Sequence, residues 1–114
     1  MAYRVERARD TDADFEAIFD FLVQSYTEFG DSRGEAIERA AKRLDGISDL
    51  MLRLGAAPHQ GTKRDDILPG LRSVTKDRAI YYFDVDEEAR RVRGLAIFFG
   101  EQDHRRAMLK RLMG

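Results

Sequence analysis

The sequence contains no cysteine or tryptophan, and only two prolines and two histidines. Without cysteine, neither a disulfide framework nor a thiolate zinc site can form, and a reducing cytoplasm is the expected location. No segment approaches the run of about 20 apolar residues that a membrane span needs. The opening MAYRVERARD alternates polar and apolar residues and carries charge, so it lacks the apolar stretch of a secretory signal. A soluble protein without a membrane segment is therefore expected.

The 114 residues, 43% of them hydrophobic, suit one domain with a single core, which is expected to span residues 1–114. The net charge of −1 is unevenly distributed. Residues 1–57 contain eight Lys/Arg against twelve Asp/Glu, whereas residues 58–114 contain twelve against nine. Proteins that live on nucleic acid usually have a strongly basic domain, and the pI here is about 6.1. The composition thus argues against direct nucleic-acid binding by the chain alone.

The N-terminal segment predicts a short strand followed by an amphipathic helix. Tyr3 to Glu6 alternates at period two, as in a strand with one buried face. Thr11 or Asp12 can then cap a helix that stops at Gly30. Its apolar stripe has helical spacing and consists of Phe15, Ile18, Phe19, Leu22, Val23 and Tyr26.

A second helix is predicted by a capping box. Ser32 is followed three residues later by Glu35, and apolar residues then continue at helical spacing as far as Gly55. Only Gly30 and Asp31 connect the two helices, so they are expected to pack as an antiparallel hairpin.

The second half predicts a loop, three strands and a closing helix. Residues 58–70 contain both prolines and two glycines, which predicts a loop without regular structure. Residues 71–76, 78–85 and 92–99 have strand composition, and Asp103 can cap a short last helix. The order β-α-α-β-β-β-α predicts an α+β fold, with an antiparallel meander that receives the helix hairpin on its inner face.

Two stretches carry a resemblance to a known family. The run PHQGTKRDDILPGLR, residues 58–72, resembles the loop that leads into the second strand of ParE-type toxins. The runs RAIYYFDV and LAIFFGEQDHRRAMLKRL resemble the paired strands and closing helix of the same toxins. Over residues 58–112 the chain therefore resembles the RelE/ParE superfamily, and within it the ParE-like branch. The resemblance implies the toxin of a bacterial type II toxin–antitoxin (plasmid stabilisation) system.

Three basic residues near the PGLR motif are candidates for contacting a partner. An even spacing places Arg72 and Arg78 on one face if the pleat is unbroken, and Lys76 lies between them. These side chains would then offer cationic groups to phosphates or carboxylates along a sheet edge. The alternative is a structural ion pair between Arg72 and Asp65 or Asp66.

The resemblance leaves two mechanisms open. RelE-like toxins are ribosome-dependent messenger ribonucleases that use an Arg and a Tyr or His after the last strand, near where this chain has Gln102 and Met108. Neither side chain suits that chemistry. His104 is a candidate general base with Arg105 as its electrostatic helper, because an imidazole titrates near neutral pH. ParE-like toxins instead bind DNA gyrase, which needs a surface rather than catalytic groups, and this mechanism is favoured.

The resemblance also implies a partner, an antitoxin whose C-terminal segment wraps the toxin. A ParD-like antitoxin is the expected one, and Tyr82 (or Tyr81), Phe98 (or Phe99) and Met108 are candidates for an outer patch that it covers. Alternatively, the chain's own helices cover both faces of the sheet. A third hypothesis is a non-toxic module that only binds its antitoxin. His59 and His104 lack metal-ligand spacing, so neither a metal nor another cofactor is expected.

Overall fold

The computed structural model describes residues 2–100 and 104–113. Its strands are β1 (Arg4–Arg7), β2 (Thr62–Lys63), β3 (Arg72–Lys76), β4 (Ala79–Asp86) and β5 (Arg91–Phe99). Its helices are α1 (Asp10–Glu28), α2 (Arg33–Leu52) and α3 (His104–Met113), and a 3-10 turn, Arg53–Ala56, follows α2. The predicted α+β fold is confirmed, with the helix hairpin on one face of the sheet and α3 on the other.

The sheet has five strands in the order β1-β5-β4-β3-β2. The β3-β4-β5 meander is antiparallel as predicted, whereas β1 pairs with β5 in parallel. The prediction that residues 58–70 are without regular structure is wrong, because this segment contains β2. Thr62 and Lys63 pair with Ser73 and Arg72, so the loop adds a short edge strand to the sheet.

The start of α1 differs from the prediction, whereas the start of α2 agrees with it. α1 begins at Asp10 and has no side-chain cap, because Thr11 lies inside the first turn and its hydroxyl donates to the Ala8 carbonyl at 2.7 Å. α2 has the predicted capping box between Ser32 and Glu35. The proposed cap of α3, Asp103, lies outside the described residues.

The main core lies between the helix hairpin and the inner face of the sheet. Tyr81, Phe83 and Phe99 point from β4 and β5 toward the helices and are buried. Gly94 lets Met51 of α2 pack directly on β5, since a Cβ there would lie 2.8 Å from the Met51 methyl carbon. Within the described ranges, no helix is long and apolar enough to cross a membrane.

Candidate functional site

The outer face of the sheet contains most of the residues predicted to contact a partner. Strand alternation turns Tyr82 of β4 and Phe98 of β5 away from the helix hairpin, and Met108 of α3 packs on them. The expected exposed patch is wrong, because Tyr82 and Met108 are fully buried and Phe98 is only 9% exposed. α3 covers this face, as the alternative predicted. Any partner that reaches these three residues must first move α3.

Aromatic contacts connect α3 with the outer face. The rings of Tyr82 and Phe98 meet edge to face at 6.0 Å, and the His104 imidazole stacks on Phe98 at 5.9 Å. The guanidinium of Arg111 lies 5.6 Å from the centre of the Phe98 ring. The side chains of His104 and Arg111 therefore cover the Phe98 ring and shield it from solvent.

The candidate catalytic pair, His104 and Arg105, is engaged in structural contacts. His104 Nε2 lies 3.1 Å from the Gly100 carbonyl oxygen, and its Nδ1 is buried. Arg105 forms an ion pair with Asp66 at 3.3 Å, on the side of the loop before β3. One imidazole nitrogen is thus engaged with a main-chain oxygen and the other is buried, which is unfavourable for a general base that must reach a substrate proton. Gln102 lies outside the described residues.

Asp66 connects the loop before β3 with α3. Its carboxylate also pairs with Arg64, and the hydrogen bond from Arg64, followed by that from Arg105, holds the pKa of Asp66 below its ordinary value. The same contact raises the pKa of Arg64. Asp66 is therefore ionised at neutral pH and bridges two cations.

Arg72 has a structural role, but its partners differ from those predicted. Its guanidinium donates to the main-chain carbonyl of His59 at 2.7 Å and fixes the loop that precedes β2. Asp65 instead accepts a hydrogen bond from the Gly70 amide at 2.9 Å, and Asp66 pairs with Arg64. The predicted ion pair of Arg72 with either aspartate is therefore wrong.

Arg72, Lys76 and Arg78 do not form one line along a sheet edge. Asp77 and Arg78 are the two residues of the β3–β4 turn, and both have positive φ angles, 50° and 70°. Two-residue hairpin turns of this kind require positive φ at both positions, so Arg78 leaves the pleat. Arg72 pairs with Phe83 and Lys76 with Ala79, which puts both on the helix side of β3.

The sequence analysis missed the most buried ion pair of the described residues. Arg111 of α3 donates through both terminal nitrogens to the carboxylate of Asp14 on α1, one of these bonds being 3.0 Å long. Asp14 is only 7% exposed. The contact raises the pKa of Arg111, chiefly through the hydrogen bond to Asp14. It connects helices on opposite faces of the sheet.

The side chains of Asp14 and Arg111 also form hydrogen bonds with the main chain of β5 where this edge of the sheet has no neighbouring strand. β1 pairs with β5 only as far as Gly94. Beyond that point, the Ile97 amide donates to Asp14 at 3.0 Å, and the Leu95 carbonyl accepts from Arg111 at 3.1 Å. The side chains therefore substitute for the missing strand, which satisfies buried backbone groups and blocks the edge.

A groove on the outer side of the helix hairpin was not predicted from the sequence. It has a volume of about 370 Å³, its apolar lining is Phe19, Val23 and Ile37, and its charged lining is Asp20, Glu28 and Arg33. A second concavity of about 360 Å³, which includes Phe15 and Leu44, shares Phe19 and Asp20 with it. Phe19 and Val23 belong to the predicted apolar stripe of α1 but are only partly buried.

Searches with the sequence and with the fold gave different results. No protein-family model matches the sequence, and no curated protein matches it significantly. Among solved structures, a chain of the chromosomal ParDE TA system from P. aeruginosa matches with a TM-score of 0.67 and 24% identity, over 88% of this chain and 98% of that one. The chain has a RelE/ParE-like toxin fold.

A second solved structure has a similar fold. It is the toxin–antitoxin complex RelBE2 from Mycobacterium tuberculosis, with a TM-score of 0.59 and 13% identity, over 88% of this chain and all of that one. In this chain α3 lies on the outer face of the sheet, and its first turn contains His104 and Arg105.

Proposed function

We propose that the chain is the toxin of a bacterial type II toxin–antitoxin pair and that a cognate antitoxin neutralises it in the cytoplasm. The observation that carries this proposal is the fold, which is similar to chains from two toxin–antitoxin systems over 88% of its length. The sequence resemblance over residues 58–112 agrees with it.

Within this function, we propose a ParE-like mechanism in which the chain inhibits DNA gyrase by occupying a surface. Two observations support this mechanism over messenger cleavage. His104 has Nε2 in contact with the Gly100 carbonyl and Nδ1 buried, and Arg105 is paired with Asp66. Met108, which lies near the expected position of a catalytic Tyr or His, is fully buried between α3 and the sheet. A surface-binding toxin needs none of these groups to be free.

The groove of the helix hairpin is the surface proposed for the antitoxin, which would be ParD-like. Its apolar floor includes Val23 and the 38% exposed Ile37. Its charged lining consists of Asp20, Glu28 and Arg33, and Glu16 of the adjoining concavity raises the number of carboxylates to three against one cation. An amphipathic segment with apolar anchors and basic flanks complements such a groove.

Inducible expression of the chain alone tests toxicity. Growth should stop after induction, and co-expression of the protein encoded by the neighbouring reading frame should restore it. Normal growth in the presence of folded, abundant protein would contradict the toxin proposal and leave a module that only binds the antitoxin.

The target is tested with purified protein in two assays. The ParE-like mechanism predicts accumulation of DNA cleaved by gyrase, unchanged by His104→Ala. Ribosome-dependent cleavage of a message that is abolished by His104→Ala would show that the RelE-like alternative is correct.

The antitoxin surface is tested by a pair of charge insertions at similar exposure. Ile37→Glu lies in the groove, whereas Leu112→Glu lies on α3 at 42% exposure. Ile37→Glu should weaken antitoxin binding, measured by titration calorimetry, and leave toxicity intact. Equal effects of the two variants would rule out the groove as the main contact.

A further inference from the structure

A concavity of about 380 Å³ lies between the second half of α2 and the β3–β4 turn. We call it the basic concavity, and its charged lining consists of Lys42, Arg43, Arg53, Asp49 and Asp77. It is separate from the outer face beneath α3 and from the groove of the helix hairpin. Its three cations, all within residues 1–57, outnumber its two carboxylates.

The cations of the basic concavity lack carboxylate partners among the described residues. Arg43 donates to the main-chain oxygen of Asp77, and neither Lys42 nor Arg53 takes part in an ion pair within residues 2–100 and 104–113. Arg78 adds a fourth cation at the turn. Its guanidinium carbon lies 5.9 Å from the centre of the Phe99 ring, and that of Arg43 lies 5.5 Å from the same centre. Both guanidinium groups therefore contribute positive charge near the turn.

Gly46 of α2 lies in the lining of the basic concavity. Glycine weakens the interior of a helix relative to alanine. Nothing in the fold requires it here, because a Cβ at Gly46 would have no atom within 4 Å. The open space above Gly46 is the basic concavity itself. The glycine therefore allows an elongated ligand to lie against the helix backbone.

We propose that the basic concavity binds the backbone phosphates of a nucleic-acid strand. Lys42 of α2 and Arg53, the residue that follows the helix, are eleven positions apart, which corresponds to about 16 Å along the helix axis. A small anion contacts only one end of that span, whereas a strand with a rise of about 3.4 Å per nucleotide covers it with about five phosphates. Arginine side chains suit this role because they bind phosphate with paired N–H donors.

The local site is compatible with the acidic pI of the whole chain. The two carboxylates and the net charge of −1 oppose a polyanion, so binding by the chain alone is weak and depends strongly on salt. The site would act when a target presents the nucleic acid close by. It does not depend on the proposed toxin function, because it can be measured with the purified chain.

The test is fluorescence anisotropy of labelled single-stranded and duplex oligodeoxynucleotides, at low and at physiological salt. We expect saturable binding at low salt that weakens as salt rises. Lys42→Ala/Arg53→Ala should reduce affinity about tenfold, because two phosphate contacts are lost. The matched control, Arg33→Ala/Lys63→Ala, removes the same charge from two exposed positions outside the concavity and should have little effect. Equal losses in both double variants, or no binding at low salt, would overturn the proposal.

Two further variants separate a binding site from a structural role. Asp49→Asn should raise affinity by removing repulsion, and Gly46→Glu should abolish binding while the far-UV spectrum and thermal midpoint show a folded protein. A loss of affinity with Asp49→Asn would contradict the proposal. Polyglutamate serves as the competing polyanion: if it binds the concavity and the oligonucleotides do not, the partner is an acidic protein segment and the nucleic-acid proposal is wrong.

Discussion

The two faces of the sheet are covered by helices of very different extent. The inner face packs against α1 and α2, which have 19 and 20 residues, whereas the outer face packs against α3 alone, which has 10. An isolated helix as short as α3 is unstable in water, so its position depends on its contacts with the rest of the chain. The inner face therefore dominates the stability of the domain.

The contacts that hold the two layers also differ in kind. The helix hairpin is held mainly by apolar packing on Tyr81, Phe83 and Phe99. α3 combines a smaller apolar cluster with two charged contacts, Arg111 to Asp14 and Arg105 to Asp66. The outer layer is consequently the part of the molecule that should respond most to a single change of charge.

Truncation of one aromatic residue on each face tests this difference most directly. Phe83→Ala should destabilise the protein by about 3–5 kcal/mol, because it opens a cavity in the main core. Phe98→Ala, in the outer cluster, should cost less because α3 can settle into the space. Urea unfolding measures both losses. An equal or greater loss for Phe98→Ala would mean that the outer layer is as important for stability as the inner one.

Removal of Arg111 should cause the next largest loss of stability. Part of this loss should be confined to the outer layer. Arg111→Ala leaves the buried carboxylate of Asp14 without its cation, which should cost about 2–3 kcal/mol. Amide hydrogen exchange in this variant should increase more in α3 than in β4. Lys110→Ala removes an exposed neighbouring charge and serves as the control. Equal exchange in α3 for the two variants would show that the ion pair does not hold this helix.

The elements predicted correctly from the sequence depend on short-range patterns. The capping box of Ser32 and Glu35 lies within one helical turn, and the strand composition of residues 79–86 is continuous. The bulge in the β4–β5 pairing is different, because Leu95 is an extra residue on β5 and both Leu95 and Ala96 face the outer side. Alternation is therefore continuous along β4 but is shifted by one residue within β5.

The features that escaped prediction depend on contacts between distant residues. Asp14 and Arg111 are 97 positions apart, so neither local pattern nor spacing names the partner. One signal was present, since Asp14 is a charged residue on the buried stripe that continues with Ile18 and Leu22. A charge at such a position requires a buried partner. The identity of that partner followed only from the fold.

The buried Tyr81 offers a test of how the stability of the inner face depends on pH. Burial raises the pKa of Tyr81 to about 12, and its hydroxyl donates to the Ile47 carbonyl at 3.2 Å. Since the ordinary value is about 10, the stability contributed by neutral Tyr81 is present below pH of about 10 and is lost as pH rises toward about 12. Tyr81→Phe should cost about 1 kcal/mol at neutral pH but reduce the alkaline loss.

Thermal unfolding across alkaline pH measures this effect in Tyr81→Phe and in the unmodified protein. The alkaline loss should be smaller in Tyr81→Phe. Identical pH profiles would show that Tyr81 does not limit the stability of the inner face at high pH.

The smallest effect is expected for the exposed ion pair of α3. The hydrogen bond from Arg64, and then that from Arg105, lowers the pKa of Asp66. A carboxylate with a lowered pKa stabilises the fold above its ordinary pKa, and this contribution is lost as pH falls through the lower, folded-state value. Asp66→Asn should therefore leave global stability nearly unchanged at neutral pH, because exposed ion pairs contribute little, while it increases exchange in the first turn of α3.

Glu88→Gln, which removes an exposed carboxylate on the β4–β5 turn, is the control for the change in charge. In acid, the exchange of α3 amides in the unmodified protein should approach that of Asp66→Asn, because protonation breaks the same contact. If Asp66→Asn loosened α3 as much as Arg111→Ala does, the exposed contact would matter as much as the buried one. The edge of β5 completed by Asp14 would then not be the main attachment of the outer layer.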